Sequence, residues 1–250
     1  MKEKASNILV IPDVHLRAWM FDEADRLMKE NGIIQAVCLG DLVDDWDMQM
    51  NREAYVSVFD KVLNFDKEHP NTLWCYGNHD ISYTWHKLES GYSPYQEELV
   101  ETMLSQMRRK MKERLNFCHV IGKCMFTHAG VTWEFLENLR YRGFKIRGIR
   151  SIEDVRDMIN QCGEYELWKD ESPIWARPSF DKEYRVFKEY GVLQVTGHTP
   201  IGKIYVREED RIMFCDNFST YSNGKTIGQK EFQVVTSEGE WIESLKADWE

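Results

Sequence analysis

The sequence predicts an α/β fold built around parallel strands, and the alternation of its first third carries this prediction. Short apolar runs, typical of buried strands, alternate with amphipathic stretches that are typical of helices. The apolar runs lie at 7–11, 36–39 and 72–76, and helical stretches at 20–30 and 52–66 separate them. This spacing indicates parallel strands that are joined by right-handed crossovers.

The rest of the chain continues the mixture of helices and strands. Residues 91–115 are predicted to be helical, and 117–121 with 123–127 to form a hairpin. Residues 131–190 are predicted to be mostly helical, with a loop at 172–178. Apolar runs predict a strand-rich end at 192–196, 204–207, 211–215 and 232–236.

The composition is typical of a soluble globular protein and argues against nucleic-acid-binding and membrane proteins. The chain has 250 residues, of which 42% are hydrophobic and 30% charged, and no linker or repeat divides it, so we expect a single domain over residues 1–250. The net charge of −10 disfavours broad binding to nucleic acids or anionic membranes. No apolar run resembles a signal peptide or a membrane span, so we expect a cytoplasmic protein with no membrane partner.

Potential metal ligands follow five of the predicted strands, at the point where each strand ends. They lie in Asp13-x-His15, Gly40-Asp41-x-x-Asp44, Gly77-Asn78-His79-Asp80, His128-Ala129-Gly130 and Gly197-His198-Thr199-Pro200. Because ligands bind outside the carboxyl ends of the strands in such sheets, all five segments can converge on one site. Carboxylate, imidazole and amide oxygen together suit divalent manganese, iron or zinc. The number of candidate ligands exceeds the three that one catalytic zinc takes and favours two metals.

The five motifs, in this order and each after an apolar strand, resemble the five sequence blocks of the calcineurin-like metallophosphoesterases over about residues 8–200. The resemblance implies a four-layer α/β/β/α sandwich, the metallophosphoesterase fold. It also implies hydrolysis of a phosphate ester by two divalent metal ions that activate a bridging hydroxide. Manganese is the first expectation, with iron or zinc as alternatives. The implied partner is a phosphorylated substrate, either a small molecule or a phosphoprotein.

The resemblance further implies a role for each motif residue. The implied metal ligands are Asp13 and His15 at the first metal, Asp41 bridging both, and Asn78, His128 and His198 at the second. His79 is implied to protonate the leaving oxygen, and Asp44 to orient His79. A histidine suits this task because its pKa lies near the working pH.

Within the family, the last motif is most similar to the phosphoprotein-phosphatase branch, which includes dinucleoside tetraphosphate hydrolases. Pro200 stands where other branches have a further metal-binding histidine. Asp45 and Tyr76 stand where this branch has arginines that bind substrate phosphate. Trp175-Ala176-Arg177 resembles a segment that supplies such an arginine in some members, so we expect Arg177 to bind phosphate. Positive charge near the site is also expected from a basic run: Arg140, Arg142, Lys145, Arg147 and Arg150.

Phosphomonoester hydrolysis is the leading interpretation of these features. A dinucleoside polyphosphate hydrolase or a phosphodiesterase is the alternative among enzymes, while the acidic composition makes nucleic acid an unfavourable partner. A metal-free protein-interaction scaffold of the same fold is the alternative outside the enzymes. Scaffold relatives have lost metal ligands, whereas every ligand position of this sequence keeps a competent side chain.

Overall fold

The computed structural model describes residues 6–145, 148–178, 184–221 and 225–248. Its first half runs β1 (Asn7–Ile11), α1 (Trp19–Asn31), β2 (Gln35–Cys38), α2 (Arg52–Glu68), β3 (Leu73–Cys75), α3 (Asn78–Trp85), α4 (Glu97–Met111) and β4 (Leu115–Asn116). The five elements predicted for the first third are confirmed, with ends that shift by at most two residues. The helix predicted at 91–115 is shorter, because α4 begins only at Glu97.

The second half of the chain runs β5 (Cys118–Ile121), β6 (Cys124–Thr127), α5 (Trp133–Tyr141), α6 (Ile152–Asn160), α7 (Glu164–Leu167), β7 (Leu193–Thr196), β8 (Tyr205–Arg207), β9 (Ile212–Phe214), β10 (Glu231–Thr236) and β11 (Trp241–Lys246). The predicted β5–β6 hairpin is confirmed. The prediction that 131–190 is mostly helical was wrong, because glycines and prolines such as Gly143, Gly163 and Pro173 interrupt helical hydrogen bonding. Strand β11 was not predicted, since its side chains are mostly exposed and show no apolar alternation.

The described strands form two sheets. The first has the order β11-β10-β1-β2-β3-β4, and the second has the order β5-β6-β7-β9-β8. Strands β1 to β4 are parallel, as are β6, β7 and β9. Several strands of both sheets therefore direct their carboxyl ends to one edge, where polar loop residues can meet.

Side-chain alternation along β1 shows how the layers are stacked. Ile8 and Val10 enter a core that they share with Phe126 of the second sheet, whereas Leu9 and Ile11 enter the core that contains α1 and α2. This period of two is typical of a sheet that is covered on both faces. The two sheets thus face each other with helices outside, which confirms the metallophosphoesterase fold. No helix in the described part of the chain is long and apolar enough to cross a membrane.

Candidate metal centre

The loops after β1, β2, β3, β6 and β7 bring six side chains together, and we call this set the metal-binding floor. Its members are Asp13, His15, Asp41, Asn78, His128 and His198. Donor atoms of Asp13, His15 and Asp41 all lie within 4.8 Å of one another, as do those of Asp41, His128 and His198. Asp41 therefore belongs to two adjacent groups of potential ligands. Asn78 joins the second group, since its Oδ1 lies 3.0 Å from His128 Nε2.

The backbone turns sharply at the strand ends and so aims these side chains inward. His15, Asp41 and His198 have φ angles of 44°, 48° and 63°, in the left-handed region that non-glycine residues rarely adopt. Glycines let neighbouring loops approach closely, because a Cβ at Gly77 would collide with the Asp41 carboxylate and one at Gly197 with that of Asp13. The glycines of the sequence motifs thus make room for the ligands.

Backbone carbonyls orient the three histidines of the floor. The contacts are His15 Nδ1 to Asp44 O at 2.7 Å, His128 Nδ1 to Leu39 O at 2.9 Å and His198 Nε2 to Trp175 O at 3.1 Å. A carbonyl oxygen only accepts, so each of these ring nitrogens carries a proton and the other nitrogen is directed at the centre. His128 Nε2 lies 3.1 Å from His198 Nδ1. Fixing one ring nitrogen in this way is typical of metal-ligating histidines.

The two aspartates of the floor are both buried, but their carboxyl groups differ in pKa. Asp13 Oδ2 accepts the backbone N–H of His198 at 2.8 Å, whereas Asp13 Oδ1 has no hydrogen-bond partner among the described residues. Burial, reinforced by Asp216 and Asp41, raises the pKa of Asp13 well above its usual value. Burial also disfavours ionised Asp41, but His128 and His79 outweigh it and hold the pKa of Asp41 well below its usual range. A partnerless buried carboxylate oxygen is costly, and a cation would satisfy it.

The charge at the centre also acts on His128. Burial lowers the pKa of His128, but the carboxylates of Asp41 and Asp13 outweigh burial and raise it to about 9. A divalent ion would compete with this proton for the ring nitrogen. The orphaned oxygen of Asp13 and the inward-facing nitrogens therefore fit a site for divalent metal ions.

His79 lies beside the floor and contacts Asp44. Its Nδ1 is 3.1 Å from Asp44 Oδ2, and its backbone N–H donates to Asp41 Oδ1 at 3.0 Å. Burial lowers the pKa of His79, but Asp41 and Asp44 outweigh it and raise it to about 9. His79 thus holds a proton in the cavity at neutral pH.

Two tyrosines hold Asp44 from the other side, and the sequence analysis did not identify them. The hydroxyls of Tyr55 and Tyr83 donate to Asp44 Oδ1 at 2.8 and 2.6 Å. Both rings are buried in helices α2 and α3. In the sequence they are indistinguishable from ordinary core aromatics, so only the fold shows that their hydroxyls meet at Asp44.

A cavity of about 220 Å³ opens above the floor. Arg177 lines it, and its Nη1 donates to the backbone carbonyl of His198 at 3.1 Å. Further lining residues that the motif analysis did not assign to the site are Arg17, Glu89, Trp175 and Asp216. The described members of the basic run at 140–150 do not line the cavity, and Arg147 lies outside the described residues. Arg142 instead stacks on the Tyr165 ring, 3.6 Å from its centroid.

Comparison with known proteins agrees with this geometry. The model of the calcineurin-like phosphoesterase family matches residues 6–226. No curated protein matches the chain significantly by sequence.

Two solved phosphatases have a similar fold. One is a cold-active protein-tyrosine phosphatase of a psychrophilic Shewanella species, which is 16% identical with a TM-score of 0.51 over 97% of this chain and 81% of that one. The other is a protein serine/threonine phosphatase from Saccharomyces cerevisiae, which is 15% identical with a TM-score of 0.52 over 98% of this chain and 81% of that one. At these identities the likeness concerns the fold.

Proposed function

The chain belongs to the calcineurin-like phosphoesterase family and is a metal-dependent phosphoric ester hydrolase, and on this premise we propose that it hydrolyses small phosphate monoesters at a dinuclear metal site. The observation that carries the proposal is the position of Asp41, which belongs to both groups of potential ligands. A carboxylate shared in this way is what a two-metal site requires.

The floor residues divide between the two ions in this proposal. Asp13, His15 and Asp41 would hold one ion, and Asp41 with Asn78, His128 and His198 would hold the other. The mixed oxygen and nitrogen donors favour manganese, with iron or zinc as alternatives. When bound, two divalent ions activate water as a nucleophile and neutralise charge on the phosphoryl oxygens.

The remaining roles fall to side chains around the floor. We assign the substrate phosphate to Arg177, whose guanidinium lines the cavity while one N–H is fixed by the His198 carbonyl. His79 delivers its proton to the leaving oxygen, and Asp44 holds its Nδ1 at 3.1 Å so that Nε2 is available for the transfer. Tyr55 and Tyr83 orient Asp44.

The size of the cavity favours a small monoester over a dinucleoside polyphosphate. Its volume of about 220 Å³ lies below the roughly 300–1,000 Å³ of sites that enclose drug-sized ligands. The two arginine positions that would favour a polyanion carry Asp45 and Tyr76 instead. A substrate of few atoms and modest charge fits this site best.

Hydrolysis of an aryl phosphate monoester and the matching diester by manganese-loaded protein tests the proposal. Asp41→Asn removes the shared charge, and we expect a loss of kcat/KM of roughly a thousandfold together with a loss of bound metal. Asp47→Asn changes an exposed aspartate of the same loop and is the matched control, expected to retain full activity. Turnover of the diester alone would replace the proposal by a phosphodiesterase. Failure of the purified protein to bind any divalent metal would overturn the catalytic proposal.

A further inference from the structure

More acidic side chains line the catalytic cavity than a phosphate-binding site needs. Five of the lining residues are acidic and two are arginines. Asp41 and Asp44 have roles in the proposed mechanism, whereas Asp45, Glu89 and Asp216 do not. A carboxylate in the cavity repels a phosphate dianion, so these acids lower affinity for phosphate unless they bind another part of the substrate.

Arg17 does not compensate for this negative charge, because its donors are already used. Its Nη1 donates to the carbonyls of Val14 and His15 at 3.3 and 3.4 Å. Its Nη2 contacts Thr220 Oγ1 at 3.2 Å and Asp45 Oδ2 at 3.2 Å. Arg17 and Asp45 therefore neutralise each other and tie three loops together. Neither one is available to the substrate.

Glu89 differs from the other acids that line the cavity. It lies in the segment between α3 and α4 and is half-buried, and its charge acts on His79 and Arg177 across the cavity. Among the described residues its carboxylate forms no direct ion pair, and the favourable charge that acts on it is that of His79. The two cations that Glu89 acts on have other partners, since His79 contacts Asp44 and Arg177 donates to the His198 carbonyl. A cationic ligand would supply a direct partner for this half-buried carboxylate.

Two indoles line the same cavity and add a second kind of chemistry. Trp46 is 46% exposed although it is large and apolar, and the Trp175 ring forms a T-shaped contact with the His198 ring. The faces of indoles attract organic cations, and ammonium groups in particular. A phosphate group gains nothing from them. The indoles and Glu89 therefore favour the same cationic group.

We propose that the substrate is a small phosphate monoester whose alcohol carries an ammonium group, and that Glu89 binds this ammonium while Arg177 binds the phosphate. This inference rests on the proposed function, and it names the substrate class of the same site. It accounts for the acidic lining, the small volume and the exposed indole together. Arg177 and Glu89 then recognise the two charges of a zwitterion.

A matched pair of substrates tests the proposal. Phosphoethanolamine and n-propyl phosphate have the same number of heavy atoms and differ only in an ammonium in place of a methyl group. We expect kcat/KM of the manganese-loaded protein to be about tenfold higher for phosphoethanolamine, the change that one charge-assisted hydrogen bond contributes. Glu89→Gln should bring this ratio close to one. Glu98→Gln, an exposed acid that does not line the cavity, should leave it unchanged.

A binding measurement separates recognition from reactivity, because an ammonium group also makes the alcohol a better leaving group. Aminoethylphosphonate and propylphosphonate form the equivalent pair without a cleavable ester. Calorimetry should show about tenfold tighter binding of the aminoethyl compound to the metal-loaded protein, and no difference in Glu89→Gln.

The outcomes distinguish this inference from the proposed function. Turnover of monoesters with equal phosphonate affinities, or with a ratio that Glu89→Gln does not change, would overturn the ammonium proposal alone. A preference for nucleoside monophosphates over phosphoethanolamine would also overturn it and assign the indoles to bases. No turnover of any monoester, with two metals bound, would overturn both proposals.

Discussion

Two buried histidines in different regions of the molecule behave in opposite ways. His128 in the metal-binding floor and His119 on β5 are both almost fully buried, and each has one ring nitrogen 2.9 Å from a backbone carbonyl oxygen. Burial lowers the pKa of His119 to about 4, whereas Asp41 and Asp13 outweigh burial and raise the pKa of His128 to about 9. The carboxylates beside His128, and not a difference in burial, therefore account for the opposite behaviour of these two histidines.

The same substitution at both positions provides the strongest test of this comparison. We expect His128→Gln to lower kcat/KM for an aryl phosphate by roughly a thousandfold, because it removes a proposed metal ligand. His119→Gln keeps a donor for the Trp74 carbonyl and should retain the activity per folded molecule. Turnover and metal content per chain check both variants. A comparable loss of metal in His119→Gln would show that burial in this region, and not the carboxylates, determines metal binding.

The pH dependence of the free energy of unfolding tests the low pKa of His119. Its folded-state pKa of about 4 lies below its ordinary value of 6.5, so the unfolded chain binds the proton more tightly. This contribution to the free energy of unfolding is present above pH 6.5 and is lost as the pH falls towards 4, with a total of about 3 kcal/mol.

Urea unfolding of the wild type and His119→Gln at pH 7.5 and pH 4.5 measures this contribution. The variant should be less stable than the wild type at pH 7.5 and should lose less stability on acidification. An equal loss in both proteins would mean that His119 is protonated as easily in the folded state as in the unfolded state.

The smallest expected effect concerns the tyrosines that orient Asp44. Tyr83→Phe removes a donor at 2.6 Å from Asp44, so His79 should be held less well, and kcat should fall by about threefold to tenfold for alkyl phosphates. Nitrophenyl phosphate needs little protonation of its leaving group and should be affected less. Tyr92→Phe changes the ring stacked on Tyr83, at a centroid distance of 4.3 Å, and is the control. A uniform loss with both esters would indicate a packing role for Tyr83.

The strand ends could be predicted from the sequence because they depend on local signals. Apolar runs such as NILVI and AVCL mark buried strands, and the polar residues directly after them have to leave the sheet at its carboxyl edge. This rule places the motifs that contain the six floor residues, and the family resemblance that the motifs carry implies which of their residues bind metal. The side chains around the floor could not be predicted in this way, because Glu89 reaches the cavity and Tyr55 reaches Asp44 from segments with no motif.

The secondary structure of residues 131–190 also could not be predicted from local sequence signals. The apolar spacing of this segment suggested helices, but apolar side chains outside the helices, such as those of Val186 and Phe187, are buried as well. Only packing against the rest of the chain distinguishes a buried helix from a buried segment that is not helical. Arg177, identified through a motif, lines the cavity, whereas the described members of the basic run at 140–150 do not, because sequence proximity to His128 does not determine where a side chain lies in the fold.

By itself, the sequence determined the α/β class and the five motifs that follow the strands, since each depends on a few consecutive residues. The order of these motifs carried the resemblance that implies the six potential metal ligands. The tertiary structure alone decided how charge is distributed around them. The sharing of Asp41, the oxygen of Asp13 that has no partner among the described residues, and the place of Glu89 in the cavity lining all arise between residues far apart in the chain. Electrostatic interactions depend on distance in space and on burial, and folding determines both.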